Sequence, residues 1–178
     1  MTAFNLEVEN FPTYYVSPFG LLVHNENGGG FWANLFGGNK NSDSVGPAQS
    51  HSENRDTATQ LGLAGKDGLQ SHHIPSQSAV NEFLDRNGIR LDRAQKQQLR
   101  DELAGVLMSK QNHQKTRTFG WGAVRTKTLD ADNLIAAVDR DVNDLAAKFG
   151  ISAEQADVLK QDLKSHVKNV TAKYGAPC

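Results

Sequence analysis

A single cysteine, Cys178, is all that the 178 residues hold, so no disulfide can close within the chain and no cysteine-rich zinc site can be built. Charge of either sign is nearly balanced, with a formal net charge of -1, which excludes a global basic field of the kind that attracts nucleic acid non-specifically. Long apolar runs are missing too. None is long enough to span a membrane, and the first residues show no signal-peptide pattern. An apolar fraction of 38% beside a charged fraction of 22% fits a soluble protein, and the length suits one ordinary core plus an appendage.

What is present is histidine in a telling arrangement. Two of the six stand side by side in Gly65-Lys66-Asp67-Gly68-Leu69-Gln70-Ser71-His72-His73-Ile74-Pro75-Ser76. Such a pair suits phosphodiester hydrolysis, because one neutral imidazole can hold a divalent cation while the other takes a proton from water. Neighbours on a regular strand point to opposite faces, so the two can converge only where the strand ends or bulges. Pro75, which cannot donate to a ladder, is compatible with such an irregular end.

A second polar cluster, Ser109-Lys110-Gln111-Asn112-His113-Gln114-Lys115-Thr116-Arg117-Thr118-Phe119-Gly120, supplies a third imidazole and a cation. His113 can complete a metal shell, Arg117 can grip a phosphate bidentately, and Thr116 or Thr118 can hydrogen-bond a phosphate oxygen. Any nucleic-acid surface has to be local, formed by Lys110, Lys115, Arg117, Arg125 and Lys127. His51 lies in polar sequence and is read as solvated; His166 flanks an apolar stripe and is read as a boundary residue.

Together Ser71-His72-His73-Ile74-Pro75 and His113 resemble the HNH and endonuclease VII-like toxins with an SHH signature, carried at the C-termini of bacterial polymorphic toxins. The resemblance covers roughly residues 65 to 125. It implies a ββα-metal core in which His72 and His113 are metal ligands and His73 is the general base. The central asparagine of the HNH pattern has no clear match; Asn81 and Asn112 are both candidates. The implied cofactor is a divalent ion, with Mg, Zn and Ni left open.

The opening stretch, from Leu6 to Asn25, reads as two short β segments around a turn at Ser17–Gly20. It resembles the last strands of a Hint (intein-like) autoprocessing domain ending in Val23-His24-Asn25. There Asn25 would cyclise onto its own carbonyl with His24 as proton donor, and Glu26 in the following position excludes splicing. Residues 26–64 read as a Gly/Asn/Ser-rich linker, interrupted by the apolar patch Phe31-Trp32-Ala33-Asn34-Leu35-Phe36, and residues 65–178 as the toxin domain.

Helical patterning begins at Ser76. One helix buries Ala79, Val80, Phe83 and Leu84 and stops at Asn87-Gly88. A second starts at Asp92 with Gln95 in capping-box spacing and buries Leu99, Leu103, Val106 and Leu107. Its charged face, Arg93, Lys96, Arg100 and Asp101, reads as solvated surface. Thr118 to Val124 reads as a strand or loop packed on the site. Two long helices follow, from Asp130 or Asp132 to Phe149 and from Ser152 to Tyr174. The expected fold is therefore α+β and mostly helical, with a helical insertion in the nuclease core and two C-terminal helices.

The leading expectation is a secreted toxin domain, delivered into the cytoplasm of a competing cell, that cuts DNA with the help of one metal ion. A cognate immunity protein would be its partner. The alternatives are a ribonuclease toxin working without metal and a non-enzymatic helical adaptor or translocation segment.

Overall fold

Ala104 to Ser109 is buried at every position, as a central strand covered on both faces is. A computed structural model describes residues 13–15, 22–24, 35–38, 40, 43–176 and 178. In chain order it contains β1 (Thr13–Tyr15), β2 (Leu22–His24), β3 (Val45–Ser50), α1 (His51–Gln60), β4 (Leu69–His73), α2 (Gln77–Arg86), α3 (Arg93–Glu102), β5 (Ala104–Ser109), α4 (Lys110–Lys115), α5 (Trp121–Asp132), α6 (Leu134–Phe149) and α7 (Ala153–Lys173). The fold is α+β and mostly helical, as the sequence suggests.

β3, β5 and β4 lie side by side in that order, both pairings antiparallel. β5 is thus the central strand, and β4, which carries the histidine pair, has one free edge. The sheet's two faces are covered differently. Val106 and Met108 join the main core with Ala79, Val80 and Leu84 of α2, Val138, Val142 and Leu145 of α6, and Leu163 and Val167 of α7. On the other face Leu69 and Leu107 meet Ala58 of α1 and Phe36, so one end of the expected apolar patch does dock on the core. Positions 31–34 of that patch lie outside the described residues.

Two readings need correction here. The helix expected from Asp92 to Leu107 ends at Glu102, and Leu103 turns the chain into β5 with extended φ/ψ. An unbroken apolar run has no period that distinguishes a buried strand from a buried helix. Gly105 is the residue that demands the strand: a Cβ there would sit 2.1 Å from the His72 carbonyl oxygen. Likewise Thr118 to Val124 is not a strand; α5 begins at Trp121 after Gly120, whose φ is +53°. A glycine tolerates that left-handed entry cheaply.

The expected linker also contains folded structure. β3 pairs with β5 and α1 packs beside β4, so residues 45–60 belong to the same unit as the histidine pair. Buried positions on α1 are His51, Asn54, Thr57 and Ala58, a helical spacing filled mostly by polar side chains, which is why no apolar stripe announces it.

The remaining helix starts follow their caps. Ser76, Asn133 and Ser152 each accept a backbone N–H of the first turn, and Asp92 and Ser152 form reciprocal capping boxes with Gln95 and Gln155. At the N-terminus β1 and β2 pair antiparallel, with Thr13 opposite His24. The expected turn at 17–20 and the autoprocessing residue Asn25 lie outside the described residues, as does the side chain of His24.

Candidate active site

β4 pairs with β5 in unbroken register, His72 opposite Val106 and His73 opposite Gly105. There is no bulge, so the two imidazoles leave the strand on opposite faces. The irregular strand end expected to bring them together is absent, and each ring finds a different set of neighbours.

His72 is 3% exposed and meets His113 of α4, with ring centres 5.2 Å apart and planes inclined by 61°. Its Nε2 lies 3.4 Å from the Thr118 hydroxyl. α4 follows β5 directly, capped by Ser109 Oγ on the Asn112 N–H, and this short connection aims His113 back at β4. Phe119 closes the far side of the His113 ring, edge to face at 5.0 Å. Burial holds the His72 pKa well below its ordinary value, helped by the nearby positive potential of His113, His73 and Arg117. Burial and His73 together bring His113 down to about 4. Both rings are therefore neutral at pH 7, the form that ligates metal.

His73 faces α1. Its ring stacks on His51 with centres 4.5 Å apart and planes 22° from parallel, and its Nε2 lies 3.1 Å from the Arg100 carbonyl oxygen. A carbonyl oxygen only accepts, so Nε2 carries the proton and Nδ1 the lone pair. Burial, then the neighbouring His51, lower the His73 pKa to about 4. Asn54 braces this face: its Nδ2 reaches the Ser71 hydroxyl at 3.2 Å and the Gly105 carbonyl at 3.3 Å, tying α1 to both β4 and β5.

One cavity draws on residues from both sides. A cleft of about 520 Å³ is lined by His51, Arg55, Ser71, His73, Arg100 and His113, among others. Thus the structure brings His72 to His113 and places His113 and His73 on one cavity wall.

Arg117 takes a different place from the one expected. Its Nη2 lies 2.6 Å from Asp130 Oδ1, its Nε 2.7 Å from Asp141 Oδ1, and its backbone N–H donates to Asp144 at 3.0 Å. Asp130 and Asp141 are buried. This guanidinium is committed to closing a buried carboxylate pair, and it has no free fork to offer a phosphate. Two of the other four cations of the expected basic surface are paired as well, Lys110 with Asp67 at 2.6 Å and Lys127 with Glu82 at 3.3 Å.

Neither asparagine candidate is hydrogen-bonded to the histidines among the described residues. Asn112 is buried and donates to Asp43, while Asn81 lies on α2 with its Oδ1 buried and no hydrogen-bond partner among the described residues. His166 donates to the Glu102 carbonyl oxygen at 2.7 Å, a packing role in keeping with its boundary position. Sequence reasoning missed His51, Asn54, Arg55 and Arg100. The only signal available was the three- and four-residue spacing of His51, Asn54 and Ala58 on a capped helix.

As for a metal, the donor set supplies two neutral imidazoles at a centre separation close to the about 5 Å that two rings sharing one tetrahedral ion require with metal–nitrogen bonds of about 2 Å. Among the described residues no group of three or more His, Cys, Asp or Glu side chains converges. The His72 and His113 rings thus have the spacing of two ligands to one ion. No family model, no curated protein and no solved structure matches the chain.

Proposed function

We propose that the chain is a nuclease, a metal-assisted endonuclease whose preferred substrate is DNA. The observation that carries the reading is the fixed tautomer of His73, which presents an unprotonated Nδ1 in a cleft it shares with His113. β4 supplies His72 and His73 and α4 supplies His113, with β5 between them as the antiparallel partner of β4; this is the order of elements expected of a ββα-metal core, with α2 and α3 inserted between the strands.

In this reading His73 takes a proton from water at Nδ1 while its Nε2–H stays on the Arg100 carbonyl. His51, stacked against the ring, and Asn54, tied to both strands, keep the imidazole in place. His72 and His113 would hold a divalent ion, Mg, Zn or Ni, which when bound supplies charge stabilisation at the phosphate and at the leaving oxygen. Thr118 orients the His72 ring through its Nε2. The Hint-like N-terminus, secretion, delivery into a competing cell and an immunity partner belong to the same proposal and rest on the resemblance. Among the described residues no helix is long and apolar enough to cross a membrane.

A second reading, a metal-independent ribonuclease, is favoured by the His51–His73 stack with Arg55 and Arg100 beside it, since two imidazoles and a cation suffice for attack by a ribose hydroxyl. Digestion of supercoiled plasmid and of structured RNA, each with divalent ion and with chelator, tests both. Plasmid cutting that chelator abolishes supports the first; RNA cleavage indifferent to chelator supports the second. No cleavage of either, with His73→Ala indistinguishable from wild type, leaves the adaptor.

A further inference from the structure

We propose that Arg55 and Arg100 form the phosphate-binding subsite of the cleft, gripping the nucleic-acid backbone in the place expected for Arg117. The proposal rests on the nuclease reading and gives it a substrate-binding surface. Both arginines line the same cavity as His51, His73 and His113. His51 and Arg55 are four residues apart on α1 and so share a face of that helix. Arg100 lies in the last turn of α3 with its main-chain carbonyl on His73 Nε2, so the residue that orients the base also projects a cation at the cleft.

Both groups are at liberty to bind. Arg100 is exposed, with no ion pair among the described residues, and Arg55 is 60% exposed with only a 3.5 Å approach to Asp101. An exposed pair of that length contributes little and is readily exchanged for a phosphate oxygen. The positive field of the two is already felt at His51, whose proton affinity is lowered first by burial and then by Arg100 and Arg55. Two buried atoms of the cleft wall, His51 Nδ1 and Asn54 Oδ1, have no hydrogen-bond partner among the described residues. Polar capacity is therefore left over at the back of the cleft.

The test is binding, read apart from cleavage. Anisotropy titrations of short labelled single- and double-stranded DNA and of RNA, with wild-type protein in chelator and with His73→Ala, give affinity as a function of salt. Arg55→Gln and Arg100→Gln should each weaken binding across sequences and flatten the slope of log affinity against log salt by about one. Arg100→Lys, which keeps the charge, should keep the slope, and inorganic phosphate should compete. Should Arg100→Gln fail to fold by thermal melting, Arg55→Gln and Arg100→Lys still decide. Unchanged slopes in both Arg→Gln variants overturn the proposal. Cleavage by wild type with unchanged slopes sinks this subsite and spares the nuclease; arginine-dependent binding without any cleavage sinks the nuclease and spares the subsite.

Discussion

His73 and Arg100 meet through one hydrogen bond, the imidazole Nε2 donating to the arginine's carbonyl oxygen at 3.1 Å. Because that bond runs to the main chain, changing the Arg100 side chain leaves the tautomer of His73 intact. The Arg100 cation and the orientation of the His73 ring can therefore be separated by mutation.

His73→Ala should lower the rate of phosphodiester cleavage by roughly 10²- to 10⁴-fold, the range of a positioned general base. Single-turnover digestion of plasmid measures it. Activity within threefold or so of wild type would remove His73 from the chemistry.

Changing His72 or His113 to Ala should act on ion binding first. Calorimetric titration of the chelator-stripped protein should show one ion bound by wild type and none by either variant, while His51→Ala retains it. Equal ion affinity in all four proteins would mean that the 5.2 Å pair of rings is only packing.

Arg117→Met separates the expected role from the observed one. With Asp130 and Asp141 left buried without their shared partner, the fold should lose about 3–5 kcal/mol, seen as a lower denaturation midpoint. Activity per folded molecule should stay near wild type. A stable but inactive variant would restore Arg117 to the phosphate.

Stability of the ion-free protein should fall on acidification. His73 and His113 have folded pKa values of about 4, below the 6.5 of the open chain, and His72 and His51 are lowered too. Above 6.5 both folded and unfolded states are neutral and the contribution is complete; between 6.5 and 4 the unfolded chain takes up protons that the folded one refuses. Asp141 opposes this, since burial raises its carboxyl to about 7, and a proton held only in the folded state adds stability as pH falls. Four imidazoles outweigh one carboxyl. Thermal melts in chelator should drop between pH 7 and 4, more steeply in Asp141→Asn.

Gly105→Ala should be among the most damaging small substitutions. Its Cβ would meet the His72 carbonyl oxygen and then the carbonyl carbon at 2.7 Å, main-chain atoms that cannot swing away. Overpacking of this kind costs about 1–3 kcal/mol or more, a drop in Tm of about 2–12 °C or more for a chain of this size. Melting and cleavage should fail together, because the clash parts the strand bearing both histidines from its neighbour.

Wherever side-chain chemistry acts locally, the sequence was readable. Ser76, Asp92 and Ser152 mark helix starts by capping alone, Gly150 marks a stop, and His113 does lie against the first of the tandem histidines. What escaped was set by contacts between distant segments. Leu103, Val106 and Leu107 repeat like a helix face and are strand because β5 is covered on both sides. α1 hid behind its polar buried face, and with it His51, Asn54 and Arg55. Arg117 looked like a phosphate clamp because nothing in its neighbourhood reveals that Asp130 and Asp141 fold back onto it.

The placement of α2 and α3 between β4 and β5 has a kinetic consequence. The two strands must find each other across the intervening residues 74–103, and closing so long a loop is entropically dear before any ladder bond rewards it. Helices can zip up early, yet His113 reaches His72 only when that late pairing completes. During refolding from denaturant, helical circular dichroism should therefore recover ahead of the His72–His113 contact and of any cleavage that depends on it.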